Sequence, residues 1–187
     1  AWEKAPPAEG WTVRDQVSHL TFSDNAAYLA LTDRAAFNRL LAEAQPDPVA
    51  FVDRANIPGQ GIGVPQLLGG FVQTRVQMVQ ALRSVVPQTR VPWFGPSMGV
   101  LSFVTARLME TWAHGQDIRD ALDADMVATD RLRHIVDLGA RYVALFGALP
   151  EVIGWPGAAR PVGAGSQDPM QAAWESMSPE AQADSTR

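Results

Sequence analysis

The chain has 187 residues, with 20 acidic and 15 basic side chains, a formal net charge of −5 at pH 7 and no cysteine. The acidic balance argues against a nucleic-acid partner, because phosphate backbones are bound by broad basic surfaces. The lack of cysteine excludes disulfides, thiolate zinc sites, iron–sulfur clusters and a cysteine nucleophile, so any thiol chemistry must use a thiol from another molecule.

The composition favours one globular domain, or one domain with a tail, of the all-α class. Hydrophobic residues make up 47% of the chain and charged residues 19%, which is typical of a soluble protein with a proper core. Alanine and leucine are abundant, whereas strand-like runs are few. Neither an apolar run of about 18 residues nor a signal peptide is visible, so we expect a cytoplasmic protein that does not bind membranes.

The first predicted helices carry clear start signals. Thr12 can act as an N-cap with Asp15 three residues later, and apolar residues at helical spacing predict a helix from about 12 to 31. A separate helix over 33–44, capped by Thr32 or Asp33, should end before the prolines that follow it.

The segment from 46 to 65 is predicted to be a loop because prolines and glycines interrupt it. Its Pro58-Gly-Gln-Gly-Ile-Gly63 run suggests a phosphate-binding loop, but no strand precedes it, so we favour a connection near the site. Helical spacing returns over 66–86. A further connection over 89–99 leads to a helix capped by Ser97 that extends to about residue 122.

The last long helix is predicted over about 130–146, with Thr129 as its cap and with Gly147 and Pro150 after its end. A short helix is expected over 168–184. Sequential helices with modest connections favour an antiparallel bundle, and sites in bundles are assembled from facing helices.

The run E-x3-H-x2-D, formed by Glu110, His114 and Asp117, holds more potential chemistry than any other segment. On a helix each residue advances about 100°, so the three side chains share one stripe. One interpretation is that these side chains form part of a metal site. The alternative is a solvated face on which Arg107 pairs with Glu110 and His114 pairs with Asp117, each pair contributing about 0.2–0.5 kcal/mol.

His19 is the candidate that would complete such a site from the first helix. A lone histidine of this kind is often a structural residue, but an antiparallel bundle can bring it close to Glu110 and His114. Asp15 lies one turn earlier and could orient the His19 ring by a hydrogen bond. The alternative is that Asp15 is simply a favourable acid at a helix N-terminus.

The segments Gly10-Trp11-Thr-Val-Arg-Asp-Gln-Val-Ser-His19-Leu and Glu110-Thr-Trp-Ala-His114-Gly-Gln-Asp117-Ile together resemble the mycothiol-dependent maleylpyruvate isomerase-like group of the DinB-like four-helix-bundle superfamily. The resemblance covers roughly residues 10–148. It implies a DinB-like antiparallel four-helix bundle in which His19, Glu110 and His114 bind a divalent metal, usually zinc. Asp117 matches a supporting position of the motif.

The resemblance further implies an isomerase or S-transferase in which the metal activates a small-molecule thiol such as mycothiol. In the isomerase version the thiolate adds reversibly to a conjugated cis double bond, permits rotation and leaves. Two imidazoles and one carboxylate form the three-ligand set of a catalytic zinc. The alternatives are a hydrolase that uses metal-bound water and a metal-binding bundle without catalysis.

Two departures from the family pattern bear on the domain organisation. Family bundles contain a helix before the Gly-Trp motif, and because this chain starts close to that motif we expect the helix either to be missing or to be replaced by another segment. If it is missing, a homodimer or a docked C-terminal segment would cover the exposed face. Many relatives also carry a C-terminal α/β domain, whereas we expect a metal-binding bundle over 1–150 followed by a Gly/Pro-rich extension over 151–187.

Overall fold

The computed structural model describes residues 1–126 and 128–146, in which the regular secondary structure is helical apart from one short two-stranded ribbon. A first unit spans Ala1–Ala124, and a second, Asp125–Arg187, contains the helix Leu132–Phe146. The all-α class predicted from the sequence is confirmed. The helices are α1 Val13–Thr32, α2 Arg34–Ala44, α3 Pro48–Gln60, α4 Val64–Arg83, α5 Val100–Ala121 and α6 Leu132–Phe146, and the strands are β1 Arg90–Val91 and β2 Met98–Gly99.

The first two helices begin at the caps that the sequence encodes. The Thr12 hydroxyl accepts a hydrogen bond from the backbone of Asp15, whose carboxylate accepts one from the Thr12 backbone at 2.9 Å. This capping box satisfies two amides at the start of α1. Asp33 caps α2 through Ala36, whereas Thr32 donates to a carbonyl of α1, so the cap of α2 is Asp33.

The prediction of a loop between residues 46 and 65 is wrong, because most of this segment forms α3. Asp47 caps the helix by accepting a hydrogen bond from Ala50 at 2.9 Å. Pro48 stands in the first turn, where its missing N–H removes no helical hydrogen bond. Pro48 therefore marks the beginning of a helix, and Pro58 lies inside that same helix near its end.

Gly59, which helped to suggest a loop, instead allows α3 to pack closely on α1. A Cβ at this position would lie 2.3 Å from the Ser18 hydroxyl oxygen and 2.6 Å from the Ser18 Cβ. The same serine donates a hydrogen bond to the Asn56 carbonyl of α3 at 3.1 Å. The glycine is required by helix packing, a role that a propensity argument does not reveal.

The connection before α5 contains the ribbon, in which Val91 pairs with Met98 in an antiparallel register. Ser97 does not cap α5, contrary to the prediction, because Gly99 occupies the cap position and Ser97 bonds to Arg90 within the ribbon. The helix predicted over about 130–146 is observed as α6, whereas the short helix predicted over 168–184 and the boundary near residue 150 lie outside the described residues.

In the first unit α1 packs against α4, α3, α5 and α2, so it is the central helix. The aromatic part of the core lies where the ribbon meets the helices, with Trp93 stacked on Phe37 at 6.0 Å. Each large side chain buried there contributes about 1.5–3 kcal/mol. The buried core cluster contains Ala27, Ala30, Phe37, Met78, Val91, Val100 and Phe103.

No helix among the described residues is long and apolar enough to cross a membrane.

A buried ionic group joins the three long helices of this unit. Asp24 of α1 is fully buried and contacts Arg75 Nε of α4 at 2.5 Å and Arg107 Nη2 of α5 at 3.2 Å. Arg75 also donates to Thr111 of α5 at 2.9 Å. The solvated-face interpretation of the α5 run is therefore wrong for Arg107, which is buried and pairs with Asp24.

Replacing Asp24 with Asn should lower the free energy of unfolding by about 3–5 kcal/mol, because two guanidinium groups lose their buried counter-ion. Urea unfolding followed by circular dichroism measures this change. Glu3→Gln is the control, since Glu3 pairs with Arg14 at an exposed position and little change is expected. If Asp24→Asn lowered the free energy of unfolding as little as Glu3→Gln does, this account would be wrong.

Candidate metal centre

Three side chains that could hold a metal ion converge between α1 and α5. His19 of α1 places its Nε2 atom 3.6 Å from Glu110 Oε2, and His114 places its Nε2 atom 3.4 Å from the same oxygen. Each of the three residues offers a donor atom within 4.8 Å of the others. Glu110 and His114 are one helical turn apart on α5, so their side chains extend from the same face.

The donor set fits a divalent transition metal. Donor atoms that share one tetrahedral zinc at about 2.0–2.2 Å stand about 3.3–3.6 Å apart, and the two measured separations from Glu110 Oε2 are 3.4 and 3.6 Å. Imidazole nitrogens with a carboxylate oxygen are also the ligand types that zinc takes when thiolates are absent.

The surroundings favour the protonation states that a metal requires. Burial lowers the pKa of the His19 ring, which favours its neutral form, and Glu110 offsets this effect only in part. Burial alone would raise the pKa of Glu110, but the neighbouring imidazole rings of His114 and His19 and the charge of Arg107 hold it well below its ordinary value. Glu110 is therefore anionic at neutral pH, as a ligand carboxylate must be.

Trp11, from the Gly-Trp motif, covers the two histidines. Its ring stacks on that of His114 at 5.9 Å with an interplanar angle of 11°, and it lies 5.2 Å from the ring of His19. The tryptophan is itself buried. This contact limits the orientations of both imidazoles and excludes water from one side of the site, a role that the sequence did not predict.

Gln16 is a second residue that the sequence did not predict. It is fully buried on α1, one turn before His19, and its Oε1 atom contacts His114 Nδ1. Its Nε2 atom donates to Asp117 Oδ2 at 3.1 Å, and the same oxygen lies 3.9 Å from His114 Nδ1. Burial raises the pKa of Asp117, although His114 and Gln16 oppose the shift. The i,i+3 spacing of Gln16 and His19 was the available sequence signal.

Asp15 does not orient His19, contrary to the prediction. Its Oδ2 atom accepts hydrogen bonds from Thr12, and its Oδ1 atom accepts one from Gln60 of α3 at 2.9 Å. The buried Nδ1 atom of His19 has no hydrogen-bond partner among the described residues. Burial tends to raise the pKa of Asp15, but the bonds from Gln60 and Thr12 outweigh it and lower the pKa.

The sequence profile of the mycothiol maleylpyruvate isomerase N-terminal domain matches residues 1–119. The chain belongs to this family. Its helical fold is accordingly of the DinB-like type that the two sequence segments implied. Glu110 and His114 lie within the matched region together with His19, so the convergent donors all come from the family domain.

Two proteins of Mycobacterium tuberculosis are similar to this chain. They are Uncharacterized protein MT0041 of strain CDC 1551 / Oshkosh and Uncharacterized protein Rv0036c of strain ATCC 25618 / H37Rv, each 42% identical over 140 residues. The similar region is 75% of this chain and 54% of each relative, so the chain spans about half the length of these relatives. No solved structure matches the chain.

Asp15→Asn should destabilise the protein at pH 7 by about 1.5–3 kcal/mol, the contribution of a hydrogen bond to a charged group. Because folding lowers the pKa of Asp15, its stabilising effect is present above its unfolded pKa of about 3.9 and is lost as the pH falls through the folded-state pKa. Urea unfolding of wild type and variant between pH 7 and pH 3 should show the difference shrinking.

The exposed Asp53 of α3 provides the matched control, because Asp53→Asn removes the same charge without removing a buried contact. Its effect should be small throughout the pH range. A difference between wild type and Asp15→Asn that stayed constant down to pH 3 would show that the Asp15 carboxylate does not act through its charge.

Proposed function

We propose that this chain is the metal-binding helical domain of an enzyme that uses a divalent cation, zinc in the first instance, together with a small-molecule thiol of the mycothiol type. His19, Glu110 and His114 are the proposed ligands. The observation that carries the proposal is the convergence of two imidazole nitrogens and one carboxylate oxygen within the family domain.

A catalytic role is favoured over a purely structural one by the number of donors. Among the described residues the group has three members, whereas structural zinc sites are closed by four protein ligands. A bound divalent cation would lower the pKa of a thiol or water at the remaining position and would stabilise negative charge on an enolate-like oxygen. Trp11 shields one side of the site, and Gln16 with Asp117 holds the His114 ring.

The thiol is proposed from the family and from the composition. The family domain takes its name from a mycothiol-dependent isomerase, and the chain has no cysteine that could supply an internal thiol. The proposed reaction class is isomerisation of a conjugated cis alkene or transfer of the thiol sulfur to an electrophile. The cytoplasmic location, the small-molecule substrate and a homodimer remain predictions.

The ligand assignment predicts that the wild-type chain retains close to one zinc ion per molecule after dialysis. His19→Ala and His114→Ala should each reduce the bound zinc to roughly a tenth or less, because ligand loss weakens affinity at least as much as loss of a supporting residue. Elemental analysis by mass spectrometry measures the metal, and circular dichroism verifies folding.

His134→Ala is the control for the zinc measurement, since His134 is exposed on α6 and is not one of the convergent donors. Its zinc content should equal that of wild type. If both His19→Ala and His114→Ala retained the wild-type zinc content, the proposed metal centre would be wrong.

The thiol proposal predicts that the zinc-loaded chain converts a cis alkene conjugated to a carbonyl only when a low-molecular-weight thiol is added. Proton NMR of the alkene follows the isomerisation, and Glu110→Gln should reduce the rate to background while His134→Ala should not. Hydrolysis of ester or amide substrates without thiol would favour the hydrolase alternative. Zinc binding without either activity would favour a non-catalytic bundle.

A further inference from the structure

Gln16 links Asp117 to His114 through two side-chain contacts. Its amide nitrogen donates to Asp117 Oδ2 at 3.1 Å, and its amide oxygen contacts His114 Nδ1. Gln16 belongs to α1, whereas both of its partners belong to α5. One fully buried side chain therefore reaches the His114 ring at the nitrogen that does not face Glu110.

The order of donors and acceptors among Asp117, Gln16 and His114 follows from hydrogen-bonding chemistry. The Asp117 carboxylate can only accept, so the NH₂ group of Gln16 must face it and the amide oxygen must face His114. A reversed amide would set its oxygen against the carboxylate and leave both acceptors without a donor. Because the Gln16 oxygen can only accept, His114 Nδ1 must donate. Asp117 Oδ2, 3.9 Å from the same nitrogen, also favours a proton there.

We infer that Gln16 is a positioning residue that keeps the proton of the neutral His114 ring on Nδ1 and so directs the Nε2 lone pair toward Glu110 and His19. The Nε2 atom is 3.4 Å from Glu110 Oε2. The Nε2 lone pair and the carboxylate oxygen are both acceptors, and at this distance they repel each other unless a proton or a cation lies between them. The Gln16 contact thus prepares His114 to accept a cation.

The inference deepens the proposed metal role, and it rests on that role only for the effect of Gln16 on zinc affinity. The tautomer itself follows from the hydrogen bonds in the metal-free protein. Hydrogen bonds to the second nitrogen of a ligand histidine fix its tautomer and orientation, and their loss typically weakens metal affinity about 10–100-fold.

Nitrogen-15 NMR of the imidazole rings tests the tautomer in the metal-free full chain, at a pH where His114 is neutral. The chain has three histidines, so single substitutions assign the signals. In wild type we expect a protonated Nδ1 and an unprotonated Nε2 in His114. Gln16→Leu keeps the side-chain bulk but removes the amide, and the proton should move to Nε2, where Glu110 can accept it.

A paired substitution separates this role from a merely structural one. Gln16→Glu alone places two carboxylates together and should disturb the site. Gln16→Glu combined with Asp117→Asn restores the order of donors and acceptors, because the amide introduced at position 117 can donate to the new carboxylate, which accepts from His114. The double variant should recover the Nδ1–H tautomer and most of the zinc affinity, whereas Gln16→Leu should bind zinc about 10–100-fold more weakly.

Gln73→Leu, on the exposed face of α4, is the matched control and should change neither the tautomer nor the zinc affinity. The inference is overturned if wild-type His114 carries its proton on Nε2, or if Gln16→Leu keeps it on Nδ1. If Gln16→Leu does not fold, an Nε2–H tautomer of His114 in the double variant also overturns the inference. A wild type that shows the expected tautomers but binds no zinc supports the role of Gln16 and refutes the proposed function.

Discussion

The packing of α1 against α5 is the constraint on which the site depends, because His19 comes from one helix and Glu110 and His114 come from the other. Apolar contacts alone would permit these helices to slide, since such packing is not directional. Polar contacts fix the register instead. Asp24 pairs with Arg107 of α5, and Gln16 contacts His114. The two contacts lie on either side of His19 along α1.

The buried ionic group also shapes the electrostatics of the site. Arg107 is held by Asp24, and its guanidinium lowers the pKa of both Glu110 and His19. The same charge therefore favours an anionic carboxylate and a neutral imidazole, which are the forms that bind a metal. A buried ion pair is weak evidence for stability by itself. Its second effect in this domain is to influence Glu110, one turn away along α5, and His19 of α1.

The sequence predicted those features whose cause is local. The capping box of Thr12 and Asp15 and the spacing of Glu110 and His114 can be read along one helix. The helix α3 was missed because Gly59 suggests a loop, although its role is to let two helices approach closely. His19 became the candidate third donor because an antiparallel bundle can bring it close to Glu110 and His114, and the resemblance to a family then implied the same residue. Gln16 was overlooked because its contribution exists only after α5 has packed beside it.

The error concerning Asp15 has a physical cause, which is competition for its oxygen atoms. Asp15 was expected to orient His19, but the cap of α1 and Gln60 already occupy both of its oxygens. Asp117, predicted to be a supporting residue of the motif, lies 3.9 Å from His114 Nδ1 and also contacts the ring indirectly, through Gln16. The function of the E-x3-H-x2-D run therefore depends on a residue of another helix, and the motif alone does not specify how its histidine is oriented.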